Sequence, residues 1–336
     1  MLTHHRTTIL FGWCIALASC DSTPPDTTAP TEESPALSAA TAATSNTWVS
    51  KRQLPAPPGG KAGTLNGIIY VMGGRNSSGQ SLPTLAYNLS TNSWTTVRPL
   101  PSARGGVNGV TPLKGKLFVT GGSNSSGQLT RTLFIYDPAT NTWSRGADMP
   151  RAAGCGIQGA IKGQLYVWAG CIGSPVVPEA HRFFRYNPHT NNWVTLAPPP
   201  RRHTFGPFGG ALGDKFYMGG GWWDHAPTGF MYAYDPATNT WAERASNGHT
   251  FGAYAVLGGK LYVAGGEDDA PFAINDLSVY DPVSNTWEAK APMPTKRSNA
   301  IGAAAGGRFF VMGGGGITDD GEDEFDRSRL MEAYIP

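Results

Sequence analysis

Two adjacent tryptophans, Trp222 and Trp223, run directly into Asp224 and His225. Tryptophan offers a wide, rigid, amphipathic surface, so this quartet has the chemistry to stack on a flat ligand and to hydrogen-bond its edges. His203-Thr204-Phe205-Gly206 recurs as His249-Thr250-Phe251-Gly252, and Arg202 precedes the first copy. Further cations stand at Arg104, Arg151, Lys296 and Arg297. The histidines with Asp224 are donors that suit several divalent ions. Their spacing matches no compact metal motif and a sequence repeat alone accounts for the paired histidines, so no metal is expected. The run Asp319-Asp320-Gly321-Glu322-Asp323-Glu324-Phe325-Asp326 is rich in carboxylates, as a Ca²⁺ site requires, but lacks EF-hand spacing. It reads as a solvated acidic loop. No G-x-S-x-G elbow is present, and the glycine runs end strands without opening helices, which argues against nucleophilic, dinucleotide and phosphate-loop chemistry. No cofactor is expected.

These residues must be held by a repeated scaffold. A glycine pair recurs at intervals of 46 to 49 residues: Gly73-Gly74, Gly121-Gly122, Gly170 (followed by Cys171), Gly219-Gly220, Gly265-Gly266 and Gly313-Gly314. Each pair is followed by a tyrosine: Tyr87, Tyr136, Tyr186, Tyr234, Tyr280 and Tyr334. Seven residues after the first five come Trp94, Trp143, Trp193, Trp241 and Trp287. A fixed period of this length marks stacked or radially arranged supersecondary units. Each repeat reads as four short strands, with an apolar run into the glycines and a turn such as Asp137-Pro138-Ala139-Thr140-Asn141 between Tyr and Trp. No segment sustains a 3.6-residue period, so the class is all-β.

The diglycine, the Tyr-Asp-Pro turn and the spaced Trp resemble the kelch repeat from about Asn46 to the C-terminus. The resemblance implies a six-bladed kelch-type β-propeller over residues 46–336. Ser45-Asn46-Thr47-Trp48 is identical to Ser284-Asn285-Thr286-Trp287, and Tyr334-Ile335-Pro336 matches Tyr280-Asp281-Pro282. An N-terminal strand is therefore expected to complete the last blade and leave no open edge. In kelch blades the loop between strands two and three emerges on the same face as the connection between blades. That would gather Trp222, Trp223, Asp224, His225, Arg104, Arg151, Arg202, His203, His249 and Arg297 on one face as ligand-binding residues, with the two histidines equivalent at the channel mouth. Loops on a rigid scaffold are where binding residues concentrate. The alternative is that the tryptophans plug the channel or pack on a neighbouring loop.

The first 45 residues belong to no blade. Arg6 precedes an apolar stretch from Ile9 to Ala18, too short to span a bilayer as a helix. Leu17-Ala18-Ser19-Cys20 resembles a bacterial lipobox, which implies a signal peptide over 1–19, lipidation of Cys20 and a bacterial cell-envelope location. Residues 20–45 form a Thr/Ala/Pro-rich tether without Lys or Arg, unable to bury enough surface to fold. Net charge is +2, spread without a basic stripe, so no nucleic-acid footprint is present. Cys155 and Cys171 fall on the first two strands of blade three, either side of a turn near Lys162-Gly163. A tight turn would put Cys155 opposite Gly170, so a disulfide needs a longer turn or a bulge; an exported protein can keep one.

The function expected is a non-enzymatic binding protein, tethered to the envelope by its lipid anchor, whose loop face takes a protein, peptide or carbohydrate ligand. The alternative is a carbohydrate-active enzyme, similar to the sialate mutarotases or, less closely, to the galactose-oxidase type. The chain lacks the seventh blade and flanking β domains of the latter.

Overall fold

The computed structural model describes residues 45–336 apart from 77, 171–182, 201–204, 224–225, 228, 268–271, 318–322 and 325–327. Among the described residues six antiparallel blades follow one another along the chain, five of four strands and the fourth with a short fifth strand. Blade one comprises Lys61–Leu65, Ile68–Met72, Thr84–Asn88 and Ser93–Val97. Blade two has Val110–Leu113, Lys116–Thr120, Leu133–Asp137 and Thr142–Arg145. Blade three has Ile157–Ile161, Gln164–Trp168, Phe183–Asn187 and Asn192–Leu196. Blade four has Phe205–Leu212, Lys215–Trp223, Met231–Asp235 and Thr240–Arg244. Blade five has Ala253–Leu257, Lys260–Glu267, Ala273–Asp281 and Thr286–Lys290.

Blade six closes the ring. Ile301–Ala305, Arg308–Met312 and Met331–Ile335 supply three strands, and the N-terminal Thr47–Ser50 is the fourth, with Thr47 opposite Ile335 and Trp48 opposite Tyr334. The first strand of every blade faces the axis, so residues of all six line one axial cavity of 360 Å³.

The core lies between blades. Six buried apolar clusters join blades one to two, two to three, three to four, four to five, five to six and six to one. This is why the blades cannot stand alone: each face is apolar and is covered by its neighbour. The six tyrosines of the repeat sit in these layers at 1 to 2% exposure or less. Each packs on its own blade's tryptophan, with ring centroids 5.0 Å apart for Tyr87–Trp94 and 5.3 Å for Tyr334–Trp48. Such pairs add about 0.5–1.5 kcal/mol beyond area burial.

A polar clamp repeats beside each aromatic pair. Each tyrosine hydroxyl donates to an asparagine Oδ1: Tyr87 to Asn92, Tyr136 to Asn141, Tyr186 to Asn191, Tyr234 to Asn239, Tyr280 to Asn285 and Tyr334 to Asn46. The same Oδ1 accepts an N–H from the chain leaving the preceding blade, as Asn141 does from Arg98 at 3.0 Å. The tryptophan then donates its indole N–H to that residue's carbonyl, Trp143 to Arg98 at 3.0 Å and Trp241 to Ala197 at 2.8 Å. All six asparagines have φ between 47° and 59°, a left-handed conformation asparagine tolerates better than most residues.

The glycine pairs answer to sterics. Gly265 has φ of 63°, and a Cβ there would lie 2.4 Å from the Arg297 carbonyl of the incoming connection to blade six. Gly121 stands likewise against the Ala153 carbonyl, at 2.1 Å. The pair is where one blade lets the next connection approach.

Candidate functional site

In blades two, four, five and six the stretch after the glycine pair bridges to a blade connection. Gly105 pairs with Ser123, Thr250 with Glu267 and Ser298 with Gly315, and in blade four Phe205 pairs with Trp222. Loops and connections therefore share one face, as the sequence suggested. Two rings of equivalent positions follow. Arg75, Ser123, Trp222, Glu267 and Gly315 each come directly after a glycine pair or its equivalent. Gly60, Gly106, Cys155, Gly206, Phe251 and Asn299 form the second ring. All six have φ between 52° and 78°, and together they line a cavity of 220 Å³ at the mouth of the axial channel.

Blade registers put Phe208 opposite Gly219 and Ala253 opposite Ala264. Gly206 is thus the counterpart of Phe251, and the repeated His-Thr-Phe-Gly tetrapeptide runs one residue out of step with the structural repeat. Phe205 and Phe251 therefore do not take equivalent positions, and His203 lies outside the described residues.

Several expected ligand-binding side chains are walled into the blades. Arg297 is 1% exposed; its guanidinium pairs with Glu332 and donates to the Gly313 carbonyl at 3.1 Å. Burial pulls its pKa down, and the Glu332 carboxylate opposes that. His249 is 6% exposed, with Nδ1 3.2 Å from the Gly265 carbonyl and Nε2 3.0 Å from Ser278 Oγ. Burial holds its pKa below the usual imidazole value. Arg104 is 8% exposed, donates to the Ala103 carbonyl and to Thr132 Oγ1, and lies 5.3 Å from the Phe134 ring centroid. Phe134, Ser278 and Glu332 all stand two residues before their blade's tyrosine. A ring face, a hydroxyl and a carboxylate therefore receive the same incoming connection in three blades.

Trp222 and Trp223 do not lie in a loop. They extend the second strand of blade four, where Trp222 pairs with Pro227 and Trp223 with Ala226. Trp222 is half-buried, and Arg151 is exposed on the connection between blades two and three. Asp224, His225, Arg202, His203, Cys20 and Cys171 lie outside the described residues, as does most of the acidic run 319–326. The turn before the second strand of blade three is tight, with Ile161 paired to Gln164, and Gly170 lies against Cys155. No group of three or more metal-ligating side chains occurs among the described residues.

A cavity of about 830 Å³ on this face spans blades five, six, one and two, away from the tryptophans. Much of its wall is bare peptide, from Gly59, Gly60, Gly105, Gly106, Gly314 and Gly315. Its charged groups are Arg75 on blade one and Glu267 on blade five, with Asn76 and Asn299 beside them. The Arg75 guanidinium rests over Gly105, whose added Cβ would lie 3.2 Å from Nε, and it has no ion-pair partner among the described residues. Asn299 donates to Ser298 Oγ at 3.2 Å and reaches Glu267 Oε1 at 3.5 Å. One signal in the sequence marks Arg75 and Glu267: the position after each glycine pair changes chemical type from repeat to repeat, while the glycines, tyrosine and tryptophan recur.

The profile of the KLHDC2/KLHL20/DRC7 Kelch-repeats domain matches residues 59–253, and the Kelch motif matches 250–294. The chain belongs to the kelch-repeat family. It is 30% identical over 147 residues to Kelch-like protein terF of Aspergillus terreus, covering 40% of this chain and 31% of that protein. It is 27% identical over 192 residues to Kelch-like protein 25 of Xenopus tropicalis, covering 53% and 31%. The chain thus matches about a third of the length of these relatives. Among solved structures, "Structure of YjhT" superposes with a TM-score of 0.65 at 18% identity, over 79% of this chain and 93% of that one. That likeness concerns the fold.

Proposed function

We propose that this propeller is a non-enzymatic binding protein that holds an extended segment of a protein partner in the loop-face cavity of blades five, six, one and two. One observation carries the reading: a cavity of about 830 Å³ walled by bare glycine peptide, with Arg75 and Glu267 on separate blades. Exposed peptide groups offer donors and acceptors to another main chain, while the two opposite charges select side chains and set direction. Arginine suits a planar carboxylate partner through its fork of donors. Peptide display against the protein tests this. Selected peptides should bind the wild type and lose affinity at least about tenfold, or about 1.4 kcal/mol, in both Arg75→Glu and Glu267→Lys. Binding that survives both changes, or a glycan array that yields ligands where peptides yield none, would overturn it.

The same proposal places the protein in a bacterial envelope, with Cys20 lipidated and residues 20–45 as tether. The support is Leu17-Ala18-Ser19-Cys20 and the polar segment that follows. A coil of about 25 residues reaches roughly 25–30 Å from its anchor. Labelling with a fatty-acid analogue should mark the wild type and not Cys20→Ser; equal labelling of both would refute the anchor.

A further inference from the structure

The axial channel narrows where Lys61 enters it. Lys61 is the first residue of blade one's inner strand, directly after Gly60 at the mouth. Its ammonium reaches past blade six to lie 4.8 Å from the centroid of the Tyr254 ring on blade five. This throat has a volume of about 60 Å³, between the 220 Å³ mouth on the loop face and the 360 Å³ chamber beyond. An added Cβ would lie 2.4 Å from the Val110 carbonyl at Gly63 and 2.3 Å from the Tyr254 carbonyl at Gly302, so these glycines let the inner strands of adjacent blades pack closely around the bore.

Lys61 is the sole formal charge among the described residues lining these three cavities. The other polar groups of the throat are committed. Asn108 donates to Thr120 Oγ1 and accepts the Gly156 N–H. Gln158 accepts from Thr120 and donates to Thr111 Oγ1 and the Phe118 carbonyl. The ammonium carries three donors and finds no acceptor among the described residues, only the face of Tyr254. A cation over an aromatic face is held in place without being neutralised. Low-dielectric walls around an uncompensated charge focus its field along the bore and raise the local concentration of counter-ions.

We propose that the channel throat is an anion site in which the Lys61 ammonium binds a small oxyanion, a carboxylate or a phosphate, entering from the loop face. Size agrees with this class: the throat holds about two waters at roughly 30 Å³ each, and the mouth above it takes the rest of a hydrated ion. Tyr254 positions the ammonium. The site does not depend on the docking reading, because it needs no partner protein.

Titration calorimetry of the full-length protein with sodium phosphate, and separately with sodium acetate, at fixed ionic strength tests the site. A single saturable binding event is expected for at least one of them. It should be lost in Lys61→Met and kept within about threefold, about 0.65 kcal/mol or less, in Lys61→Arg. Docked peptide would be lost in the charge reversal Arg75→Glu, so the two readings fail separately. In the wild type, the anion should also slow acylation of the Lys61 amine, read by peptide mass spectrometry, which needs no variant to fold. Neither anion binding saturably, equal binding by Lys61→Met, or an unprotected Lys61 would overturn the proposal.

Discussion

The Tyr334 hydroxyl donates to Asn46 Oδ1 at 2.8 Å, joining positions 288 residues apart. The same Oδ1 accepts the Ala291 N–H at 2.9 Å, and Trp48 donates its indole N–H to the Ala291 carbonyl at 2.7 Å. The N-terminal strand, the last strand of the chain and the exit from blade five thus meet at one side-chain amide. Five other blades build this clamp within consecutive repeats. Blade six builds it across the ends of the propeller, so the cohesion of the ring passes through residues 46–50.

Asn46→Ala should therefore destabilise by about 1–3 kcal/mol, because it strips a buried hydroxyl of its acceptor as well as removing a bond. Removing residues 46–54 deletes the strand and Trp48 together, exposing the edge of Met331–Ile335. That variant should unfold or aggregate, as read by urea denaturation and size-exclusion chromatography. A truncated chain that melts with the wild type would show that closure is dispensable.

The scaffold was legible because its constraints are local. A glycine needed at Gly265, a tyrosine at Tyr280 and a tryptophan at Trp287 recur wherever the same geometry recurs, and period alone exposes them. The identity of Ser45-Asn46-Thr47-Trp48 with Ser284-Asn285-Thr286-Trp287 even revealed the closing strand. The site was less legible because a connection residue looks exposed in sequence whatever it touches. Arg104, His249 and Arg297 have the chemistry of ligand contacts, yet each meets a residue two before the tyrosine in the third strand of the blade it enters. Glu332 was the available clue: it is an acid in a strand whose inward neighbours are apolar. Arg75, Glu267 and Lys61 are single charges in a repeat and carry no motif; their place on cavity walls, which sequence does not display, sets them apart.

Arg297 and Glu332 form a buried pair, with Thr295 Oγ1 also donating to Glu332 at 3.2 Å. Removing either partner leaves a buried charge, so Arg297→Ala or Glu332→Ala should cost about 3–5 kcal/mol. Replacing both by leucine should cost much less than the sum of the two single changes, since no charge is then stranded. A double-mutant cycle in chemical denaturation measures this coupling. Additive losses would mean that the two charges do not sense each other.

His249 gives the fold an acid-sensitive joint. Its folded pKa lies below the ordinary 6.5 because burial disfavours the imidazolium, and the Gly265 carbonyl opposes that only in part. Below pH 6.5 the unfolded chain takes up a proton that the folded chain refuses, so stability is full above that value and declines as pH falls beneath it. Unfolding free energies measured from pH 7.5 to 5 should show the decline in the wild type and a flatter profile in His249→Gln. Equal slopes would remove His249 as the cause.

At the alkaline end the tyrosine clamp is the sensitive element. Burial pushes the hydroxyls of Tyr234, Tyr280 and Tyr334 up to about 12, from an ordinary 10.0. An acid whose folded pKa is raised contributes stability that is complete below the unfolded value of 10.0 and is lost as pH rises toward the folded one. Each phenolate formed would also give up its hydrogen bond to Asn239, Asn285 or Asn46 and release a blade junction. Absorbance at 295 nm should accordingly rise late, together with unfolding above pH 11, since eleven of the twelve tyrosines are buried and Tyr254 is only partly exposed. In Tyr334→Phe the alkaline transition should lose amplitude, and the protein should be less stable at neutral pH by about 1 kcal/mol from the missing bond. A single titration centred near 10, complete before any loss of β-sheet signal, would mean that the clamp hydroxyls are not withheld from solvent.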